Sequence, residues 1–368
     1  MSILLTTNEG WLISHLRYLN DVYNTVKDDD KITAFRFNQA IFQINSQFLR
    51  ANQVPRGNDQ NGPQCSTETK KAKKRKSTQS SLPDQVLQQN RFVESVSQKI
   101  IDRAIDLQLL AKYQINDSNL QSRLESKQFY QDSSVRKFNK NFNGVNAKNC
   151  AIVANFQNER YIFPKQCQFY SLDVRQLQSM IDLSNQYDFI LLDPPWWNKS
   201  IRRKKVKLEE SSYDMMYNKD VADIPVGKLL KPTGIVAVWC TNAPSHIESI
   251  LKEMFTAWGV EFKAKWYWLK ITQNGQPVCN FNSFHGKQPY EQLIIGSKLS
   301  NVNIPDGKII VSVPSAIHSH KPPLTEIFEE YLPDDPNCLE IFARYLLPKC
   351  TSVGLEVLKF QHLSLFEK

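Results

Sequence analysis

The sequence predicts an α/β protein in which a sheet domain follows a mostly helical N-terminal region. After residue 150, short apolar runs alternate with stretches of helical periodicity, which is typical of a sheet covered by helices. Before residue 150, apolar side chains recur every three or four residues over long stretches, which is typical of amphipathic helices. We therefore assign the sheet domain to residues 151–368.

The N-terminal part divides into three segments. Residues 1–52 are predicted to be helical, because apolar residues from Trp11 to Tyr23 follow helical spacing. Residues 53–83 are poor in apolar side chains and rich in Asn, Gln, Ser and Lys, which predicts a flexible linker. Residues 84–150 are predicted to be helical again, because apolar positions recur without Gly or Pro through most of this segment.

A dense basic cluster lies inside the predicted linker. Lys70–Lys76 contains six basic residues in seven. Its place in a polar segment favours a nuclear-import signal over a merely solvated charge cluster. We therefore expect the protein in the nucleus, with the cytoplasm as a second location.

Strands and helices are both predicted within residues 151–368. The apolar runs are short and rich in branched or aromatic side chains, so we assign them to strands. The predicted strands are Phe189–Leu192, Ile235–Trp239, Trp266–Leu269, Leu293–Ile295, Ile309–Val313 and Leu339–Phe342. The predicted helices are Asp173–Leu183, Ser245–Trp258 and Pro323–Tyr331.

The composition limits the classes of function. The 368 residues are 41% hydrophobic and carry a net charge of +9, which allows a buried core and suits a polyanionic partner, although many soluble proteins are mildly basic. The seven cysteines are widely spaced and none forms a CxxC pair, so we expect reduced thiols and no metal site. Met1–Leu5 is too short for a signal peptide, and no run approaches the roughly 18 apolar residues of a membrane helix. We expect a soluble protein inside the cell.

The strongest chemical signal is Tyr187–Trp196, an apolar run that ends in Asp-Pro-Pro-Trp. This pattern places a carboxylate and a ring at the carboxyl end of a buried strand, where open α/β sheets bind ligands. The prolines fix the turn and lack an N–H, so their carbonyls are expected to be free acceptors. Asp193 and the Pro194 carbonyl can then accept both hydrogens of an exocyclic amine, with Pro195 stiffening the turn. Trp196 is expected to stack on the ring that carries the amine. The alternative is a strand end followed by a rigid turn without chemistry.

This segment and several separated motifs resemble the adenine N6-methyltransferases related to the catalytic subunit of the messenger-RNA N6-methyladenosine writer, and among them the branch called methyltransferase-like four. The resemblance is strong from about Tyr161 to His362, with a weaker N-terminal match that includes Gly10-Trp11-Leu12. It is carried by Pro164-Lys165, Asp173-Val174, Asp193–Ser200, Lys287–Glu291, Ile309–Pro314, His318–Pro323 and Glu340–Arg344. The resemblance implies a Rossmann-like fold in permuted order, with the catalytic strand before the donor-binding strand, and S-adenosylmethionine as methyl donor.

The resemblance also implies roles for single residues. Asp193 is expected beside both the target amine and the ammonium group of the donor. Lys321, together with His320, is expected to meet the donor carboxylate or a substrate phosphate. The other expected donor-binding residues are Asp173 and the Val174 backbone at the adenine, Arg344 at the ribose, Gly354 in the wall and Glu356 as a hydroxyl acceptor.

Two positions depart from the pattern of the family. Relatives usually carry Asn after the residues that match Arg344 and Gly354, whereas this chain has Tyr345 and Leu355. Each change removes a side-chain hydrogen bond expected near the donor, which is worth on the order of 1 kcal/mol. We therefore expect weakened or rearranged donor binding and retained activity.

A basic loop directly after the turn is predicted to bind the substrate. Lys199–Lys207 carries six basic residues in nine, among them Arg202 and Arg203. It is placed to bind phosphates in a salt-dependent way, unless it is an ordinary solvated loop. Further substrate candidates are Asn198 in the matched motif, Tyr213 as a second aromatic wall, Lys287 as a cation for phosphate and Glu291 as an acceptor for an amine or hydroxyl.

Together these expectations describe an active adenine N6-methyltransferase with RNA as the favoured substrate. The branch resemblance implies U2-type small nuclear RNA, at an internal adenosine that is already 2′-O-methylated. A single-stranded adenosine is the easier substrate, because a base in a duplex has to be flipped out. A DNA adenine N6-methyltransferase and a catalytically silent nucleic-acid-binding subunit remain open as alternatives. The chain has no Pro-Cys-x-x-Cys motif, which argues against a zinc-dependent deaminase. We expect the protein to act as a monomer.

Overall fold

The computed structural model describes residues 2–48, 83–113, 117–135, 141–197, 215–281 and 287–368. Almost all of the predicted linker 53–83 lies outside these residues, including the basic cluster Lys70–Lys76. The basic loop Lys199–Lys207 also lies outside them.

A large mixed sheet forms the centre of the fold. The strands are β1 (Ile3–Thr6), β2 (Gly10–Ile13), β3 (Val26–Asp28), β4 (Lys31–Thr33), β5 (Arg36–Phe37), β6 (Phe142–Asn146), β7 (Ala151–Phe156), β8 (Glu159–Phe163), β9 (Cys167–Ser171), β10 (Tyr187–Leu192), β11 (Leu230–Cys240), β12 (Glu261–Lys270), β13 (Tyr290–Ser297), β14 (Ile309–Ser312), β15 (Cys338–Ile341), β16 (Cys350–Val353) and β17 (Phe366–Glu367). The central sheet has the order β1-β2-β14-β12-β13-β11-β10-β15-β16-β9-β6. Two smaller sheets have the orders β4-β3-β7-β8 and β17-β5.

Helices pack around this sheet. They are α1 (His15–Val22), α2 (Asp84–Asp106), α3 (Leu120–Val135), α4 (Leu177–Met180), α5 (Asn218–Ala222), α6 (Val226–Leu229), α7 (Pro244–Ser249), α8 (Phe255–Trp258) and α9 (Thr325–Phe328). A π-helical turn, Ile250–Met254, joins α7 to α8. The 3₁₀ turns are Gln39–Phe42, Val174–Gln176, Glu329–Tyr331 and Leu363–Leu365.

The predicted α/β pattern after residue 150 is confirmed. Each of the six predicted strands is a strand of the central sheet, and the predicted helix Ser245–Trp258 is the run formed by α7, the π turn and α8. The predicted helix Asp173–Leu183 is shorter than expected, because the helical turns end at Met180 and the following residue is extended. The strands β6 to β9 and β16 were not predicted.

The prediction that residues 1–52 are helical holds only for α1, and most of the other described residues of the segment do not form a helix. Five short strands occupy the described part of that segment, where α1 has only eight residues. The helical spacing misled because Trp11 belongs to β2, which is buried at every position and therefore lacks an alternating pattern. Gly10 permits the pairing of β2 with β14: at its φ of 148°, a Cβ would lie 1.9 Å from the carbonyl oxygen of Ile309.

Residues before 150 complete the central sheet at both edges. β2 pairs with β14 at one edge, and β6 pairs with β9 at the other. The second helical region predicted at 84–150 is confirmed by α2 and α3, although β6 also falls within it. The predicted boundary at residue 150 therefore runs through a shared sheet.

Strand β10 lies in the middle of the sheet and is buried along its whole length. Phe189 and Leu191 pack into one hydrophobic core, whereas Ile190 and Leu192 pack into the core on the opposite face. Such two-sided burial is typical of a parallel strand covered by helices. β10 is parallel to both of its neighbours, β11 and β15. Their carboxyl ends therefore meet at one edge of the sheet.

The segments that follow the strands at this carboxyl edge carry the charged residues of the predicted site. Asp193 follows β10, Arg344 follows β15 and Gly354 follows β16. β12 and β14 run in the same direction, so Lys270 and the segment that leads to Lys321 reach this edge as well. Open α/β sheets bind their ligands there.

Candidate active site

Asp193 is the first residue after β10, and its side chain is only 11% exposed. Its backbone N–H donates to the carbonyl of Ile341 at the end of β15, at 3.3 Å. Oδ1 lies 3.1 Å from Nζ of Lys321, and Oδ2 lies 2.8 Å from Nη1 of Arg344. One nearly buried carboxylate therefore holds a cation on each side.

On the Lys321 side, the ion pairs continue into β13 and β12. Nζ of Lys321 also lies 2.9 Å from Oε2 of Glu291, and the other oxygen of Glu291 pairs with Lys270. The ammonium group of Lys270 also lies 4.4 Å from the centre of the Trp268 ring, which adds a cation–π contact. Glu291 thus holds two lysines that come from different parts of the chain.

On the Arg344 side, the ion pairs continue into the segment after β16. Nε of Arg344 lies 3.1 Å from Oε2 of Glu356, and Oε1 of Glu356 lies 2.7 Å from Nζ of Lys359. Burial works to raise the pKa of Glu356, but Lys359 and Arg344 outweigh it, so that the pKa is lowered. Seven alternating charges therefore run from Lys270 to Lys359, with Asp193 in the middle.

The ion pairs hold Glu291 and Lys321 in their charged forms. Burial works to raise the pKa of Glu291, but Lys270 and Lys321 outweigh it and hold that pKa well below its usual value. Burial works to lower the pKa of Lys321, but the carboxylates of Asp193 and Glu291 outweigh it and raise that pKa. Removing one partner from such a buried pair lowers the free energy of unfolding, because the other charge stays buried without an opposite charge beside it.

A second buried acid lies beside Asp193 and has a different protonation. Glu340 on β15 is 4% exposed, and its Oε2 has no hydrogen-bond partner among the described residues. Burial and the nearby charge of Asp193 raise the pKa of Glu340 to about 8, although Arg344 opposes the shift. The site therefore combines the ion-paired Asp193 with a Glu340 that is largely protonated at neutral pH.

The turn after Asp193 is held against the segment at Met216. The carbonyl of Pro194 accepts a hydrogen bond from the Trp196 N–H at 2.8 Å, and the carbonyl of Pro195 accepts one from the Met216 N–H at 2.9 Å. Both carbonyls therefore already accept one hydrogen bond within the protein. Each carbonyl oxygen keeps one lone pair for a further donor.

Trp196 lies inside the protein and not on an open surface. Its side chain is 5% exposed, its Nε1 donates to the carbonyl of Trp239 on β11 at 3.0 Å, and its ring packs against His246 with centroids 4.8 Å apart. In this arrangement Trp196 fixes the turn to the sheet. Its predicted stacking on a target ring stays a prediction.

A small cavity of about 60 Å³ lies on the Arg344 side of Asp193. It brings together four of the residues predicted to bind the donor: Asp173, Val174, Arg344 and Glu356. The carboxylate of Asp173 caps the following turn and pairs with Arg175 at 3.0 Å. Leu355 also lines the cavity and is 53% exposed.

Gly354 supports this cavity through backbone packing. Its N–H donates to the carbonyl of Tyr170 at 3.1 Å, and a Cβ at this position would lie 2.8 Å from the carbonyl oxygen of Ala343. A larger residue would therefore push apart the segments after β15 and β16. Gly354 does not itself line the small cavity, and its predicted place in the wall of the donor site stays a prediction.

A larger cavity of about 870 Å³ lies on the Lys321 side of Asp193. Lys270, Glu291 and Lys321 line it together with Trp268 and the segment 314–320. Asp193 is thus connected to both cavities through its two cationic partners. Volumes of this order are typical of sites for small organic ligands.

His320 and Tyr345 have structural roles that the sequence did not predict. The His320 ring stacks on Phe360 with centroids 4.5 Å apart, and burial lowers its pKa to about 3. It is therefore neutral and offers no positive charge to a phosphate. The hydroxyl of Tyr345 donates to the carbonyl of Lys321 at 3.3 Å, and Tyr345 does not line the small cavity. Of the two departures from the family pattern, only Leu355 faces that cavity.

Some predicted substrate residues are not brought to the site by the described structure. Lys287 is exposed, lines neither cavity and forms no ion pair with a described residue. The remaining predicted substrate residues Asn198, Lys199, Arg202, Arg203 and Tyr213 lie outside the described residues.

Sequence reasoning missed two charged residues of the network, Lys270 and Lys359, and also the buried acid Glu340 beside it. Lys270 ends β12, and its contact with Glu291 depends on the antiparallel pairing of β12 with β13. Glu340 had a visible signal, since an acid inside an apolar strand run requires an explanation. Lys359 follows Glu356 at a spacing of three, which is compatible with a local ion pair.

The described residues show neither a metal cluster nor a spanning helix. No three of their His, Cys, Asp or Glu side chains come together in a way that could hold a metal ion. None of their helices is both long enough and apolar enough to cross a bilayer. The six described cysteines are free thiols.

Comparison with known proteins shows a family match that includes the strands and segments around Asp193. A family model described as MT-A70 matches residues 187–356. A Caenorhabditis elegans protein named DNA N6-methyl methyltransferase is 30% identical over 304 residues, which are 75% of this chain and 81% of that protein. The matched segment begins at β10 and includes Asp193, Glu291, Lys321, Arg344 and Glu356.

Two further relatives are similar to part of the chain. The human protein named N(6)-adenine-specific methyltransferase METTL4 is 38% identical over 226 residues, which are 58% of this chain and 46% of that protein. The N6-methyladenosine RNA methyltransferase MTA1 of Cryphonectria parasitica is 38% identical over 179 residues, which are 48% of this chain and 53% of that protein. The chain thus spans about half the length of these two relatives. The matches confirm the family resemblance that the sequence motifs predicted.

Proposed function

The chain belongs to the MT-A70 family, and from that membership we propose that it is an S-adenosylmethionine-dependent methyltransferase that acts on the N6 amine of adenine in a nucleic acid. One observation carries the proposal. Asp193 stands at the carboxyl edge of the sheet between two cavities, with Lys321 and Arg344 on its two carboxylate oxygens.

The residues around Asp193 fit the functional groups of the methyl donor. The carboxylate of Asp193 suits an ammonium group, and the ammonium group of Lys321 suits a carboxylate. Arg344 and Glu356 line the small cavity and suit ribose hydroxyls. When bound, the donor supplies an electrophilic methyl group on a sulfonium centre. The same chemistry supports Asp173 and Val174 as neighbours of the donor's adenine, because both line that cavity.

Asp193 can also orient the target amine. A carboxylate offers about four lone-pair sites, and the two cations use only two of them. Asp193 can therefore accept a hydrogen bond from an exocyclic amine without losing either cation, and Pro194 retains a lone pair for the second N–H. Two accepted hydrogen bonds favour a more nucleophilic nitrogen, so that the protein contributes mainly positioning and electrostatics.

RNA is the substrate that we favour, and DNA is the alternative. The relative from Cryphonectria parasitica is named as an RNA methyltransferase, which supports RNA, whereas the Caenorhabditis elegans relative is named as a DNA methyltransferase. Within RNA, the branch resemblance supports U2-type small nuclear RNA at an internal 2′-O-methylated adenosine. A catalytically silent subunit is disfavoured by the intact Asp193 site.

One experiment tests activity and substrate together. The full chain is incubated with labelled methyl donor and with matched single-stranded RNA and DNA, each with one adenosine, and the RNA also with that adenosine 2′-O-methylated. Nucleosides are then identified by mass spectrometry, with Asp193→Asn as the inactive control. We expect N6-methylated product in RNA, and more of it with the 2′-O-methylated adenosine. A folded protein that modifies neither nucleic acid contradicts the proposal.

Three further expectations belong to this proposal. The permuted order is supported by chain order, since β10 precedes β15 and β16, which carry Arg344 and Gly354 at their ends. Nuclear location is supported by the cluster Lys70–Lys76 alone, and a fluorescent fusion with and without that cluster tests it. Action as a monomer is tested by sedimentation of the active enzyme.

A further inference from the structure

Helix α3 forms part of the wall of the large cavity that Lys321 also lines. The α3 residues that line it are spaced so that they share one face of the helix. These residues are Ser122, Arg123, Ser126, Lys127 and Tyr130. The helix belongs to the N-terminal part of the chain, outside the segment matched by the family model. The N-terminal part therefore contributes directly to a cavity that reaches the candidate active site.

The helix is fixed to the segment that leads to Lys321. The hydroxyl of Ser126 donates to the carbonyl of Ala316 at 3.1 Å, and the hydroxyl of Tyr130 accepts a hydrogen bond from the His318 N–H at 3.0 Å. Phe129 stacks on Phe360, with centroids 5.6 Å apart and planes within 16°. Because Phe360 also stacks on His320, which adjoins Lys321, α3 is held in place by packing that reaches the site.

The N-terminal end of α3 is held by a second set of contacts. The side-chain oxygen of Asn119 accepts hydrogen bonds from the backbone N–H groups of Asn45 and Ser46, at 2.7 and 2.9 Å. Its amide nitrogen donates to the carbonyl of Ser46 at 2.8 Å. Both ends of the helix are thus anchored, and α3 serves as a fixed wall.

The charge of the cavity favours an anionic ligand. Arg123 and Lys127 are exposed, and neither forms an ion pair with a residue that the structure describes. Lys270 and Lys321 also line the cavity, and Glu291 is the only acidic residue among those that line it in the described structure. Four cations and one carboxylate therefore line the cavity, and the two cations on α3 form no ion pair with a described carboxylate.

We propose that Arg123 and Lys127 bind phosphates of a single strand on either side of the target adenosine, so that α3 supplies phosphate contacts in the cavity that reaches Lys321. The proposal rests on the proposed function for the nature of the ligand. It deepens that function by assigning a phosphate-binding surface to the N-terminal part. A single strand fits a walled cavity, because a duplex would have to release its base first.

A charge-matched pair of double variants tests the proposal. Arg123→Gln with Lys127→Gln removes two positive charges from α3. Arg91→Gln with Arg103→Gln removes two from α2, where both arginines are exposed and neither lines the cavity. The probe is a short fluorescent single-stranded RNA, and its affinity is measured over a range of salt concentrations. The log–log slope of affinity against salt reports the number of phosphate contacts.

We expect the α3 variant to lower that slope by about 1.4, since each single-strand phosphate contact contributes about 0.7. The α2 variant should keep the wild-type slope, and all three proteins should unfold at the same temperature because the changed side chains are exposed. An α3 variant with the slope of the α2 variant, or a wild type that does not bind the probe, overturns the proposal. The binding assay does not depend on catalysis. If the wild type is inactive but the slope still differs between the two variants, the proposed function is rejected, whereas the assignment of Arg123 and Lys127 as phosphate-binding residues stands.

Discussion

Arg344 Nη1 lies 2.8 Å from Oδ2 of Asp193, and the two residues are 151 positions apart in the chain. They meet because β10 and β15 are parallel neighbours, with Leu192 aligned to Ile341 at their carboxyl ends. Arg344 also lines the small cavity, whereas Lys321 on the other oxygen of Asp193 lines the large one. The Asp193 carboxylate therefore joins the two cavities, and changes on either side of it should have separable effects.

Replacing Asp193 by Asn should remove methylation by the folded protein, and it should also lower the free energy of unfolding because two nearly buried cations lose their carboxylate. The amide keeps the shape of the side chain but leaves Lys321 and Arg344 without their shared carboxylate. We expect turnover to fall by about a hundred-fold or more, as when a positioned group that stabilises the transition state is removed. Single-turnover methylation with labelled donor measures the effect.

Asp188→Asn is the matched control for this change. Asp188 lies at the opposite end of β10, is also buried, and pairs with Lys231 at 2.8 Å. Its replacement should lower the free energy of unfolding and leave the turnover of the folded enzyme unchanged. If Asp193→Asn retained wild-type turnover, the catalytic assignment would be wrong.

Replacing Lys321 by Met should weaken donor binding and also lower the free energy of unfolding, because Asp193 and Glu291 lose their shared cation. The change removes the cation shared by Asp193 and Glu291, and hydrogen bonds to charged groups are worth about 1.5–3 kcal/mol. We expect the dissociation constant of the donor to rise by roughly ten-fold or more. Calorimetric titration measures it, with Lys349→Met as control, because Lys349 forms an exposed pair with Asp335. Equal donor affinity in both variants would show that Lys321 does not contact the donor.

From the sequence, the main charged residues could be predicted to lie at strand ends, but their contacts with one another could not be predicted. The apolar run before Asp193 and the run before Arg344 were both visible, whereas their adjacency depends on the strand order of the sheet. The pairing of Glu291 with Lys270 depends likewise on strand pairing. The sequence also does not show that Trp196 is buried and that the carbonyl of Trp239 accepts its N–H. These contacts are set by tertiary packing between distant segments, which local periodicity does not encode.

Protonation of Glu340 should make stability depend on pH. Its pKa rises on folding from the ordinary value of 4.5 to about 8, so the folded state binds more protons between these limits. The free energy of unfolding should therefore fall as the pH rises through this range, by roughly 2 kcal/mol between about pH 6 and pH 8. Glu340→Gln keeps the neutral shape and should remove most of this dependence. Urea unfolding of both proteins at the two pH values measures it, and identical pH dependence would contradict the assignment.

Restoring Asn at position 355 should tighten donor binding. Leu355 lines the small cavity and is 53% exposed, so an amide there stays in contact with water and is not buried without a partner. One added hydrogen bond is worth roughly 1 kcal/mol, or about a five-fold gain in donor affinity.

Tyr345→Asn is the contrasting change. Tyr345 is 4% exposed and lies outside that cavity. Its loss should lower the free energy of unfolding by about 3 kcal/mol or more without raising the affinity for the donor. Calorimetric titration of the donor, together with thermal unfolding of both variants, separates the two effects. Weaker donor binding by Leu355→Asn would show that the donor uses the leucine as an apolar wall, and that the expected amide contact has been replaced in this chain.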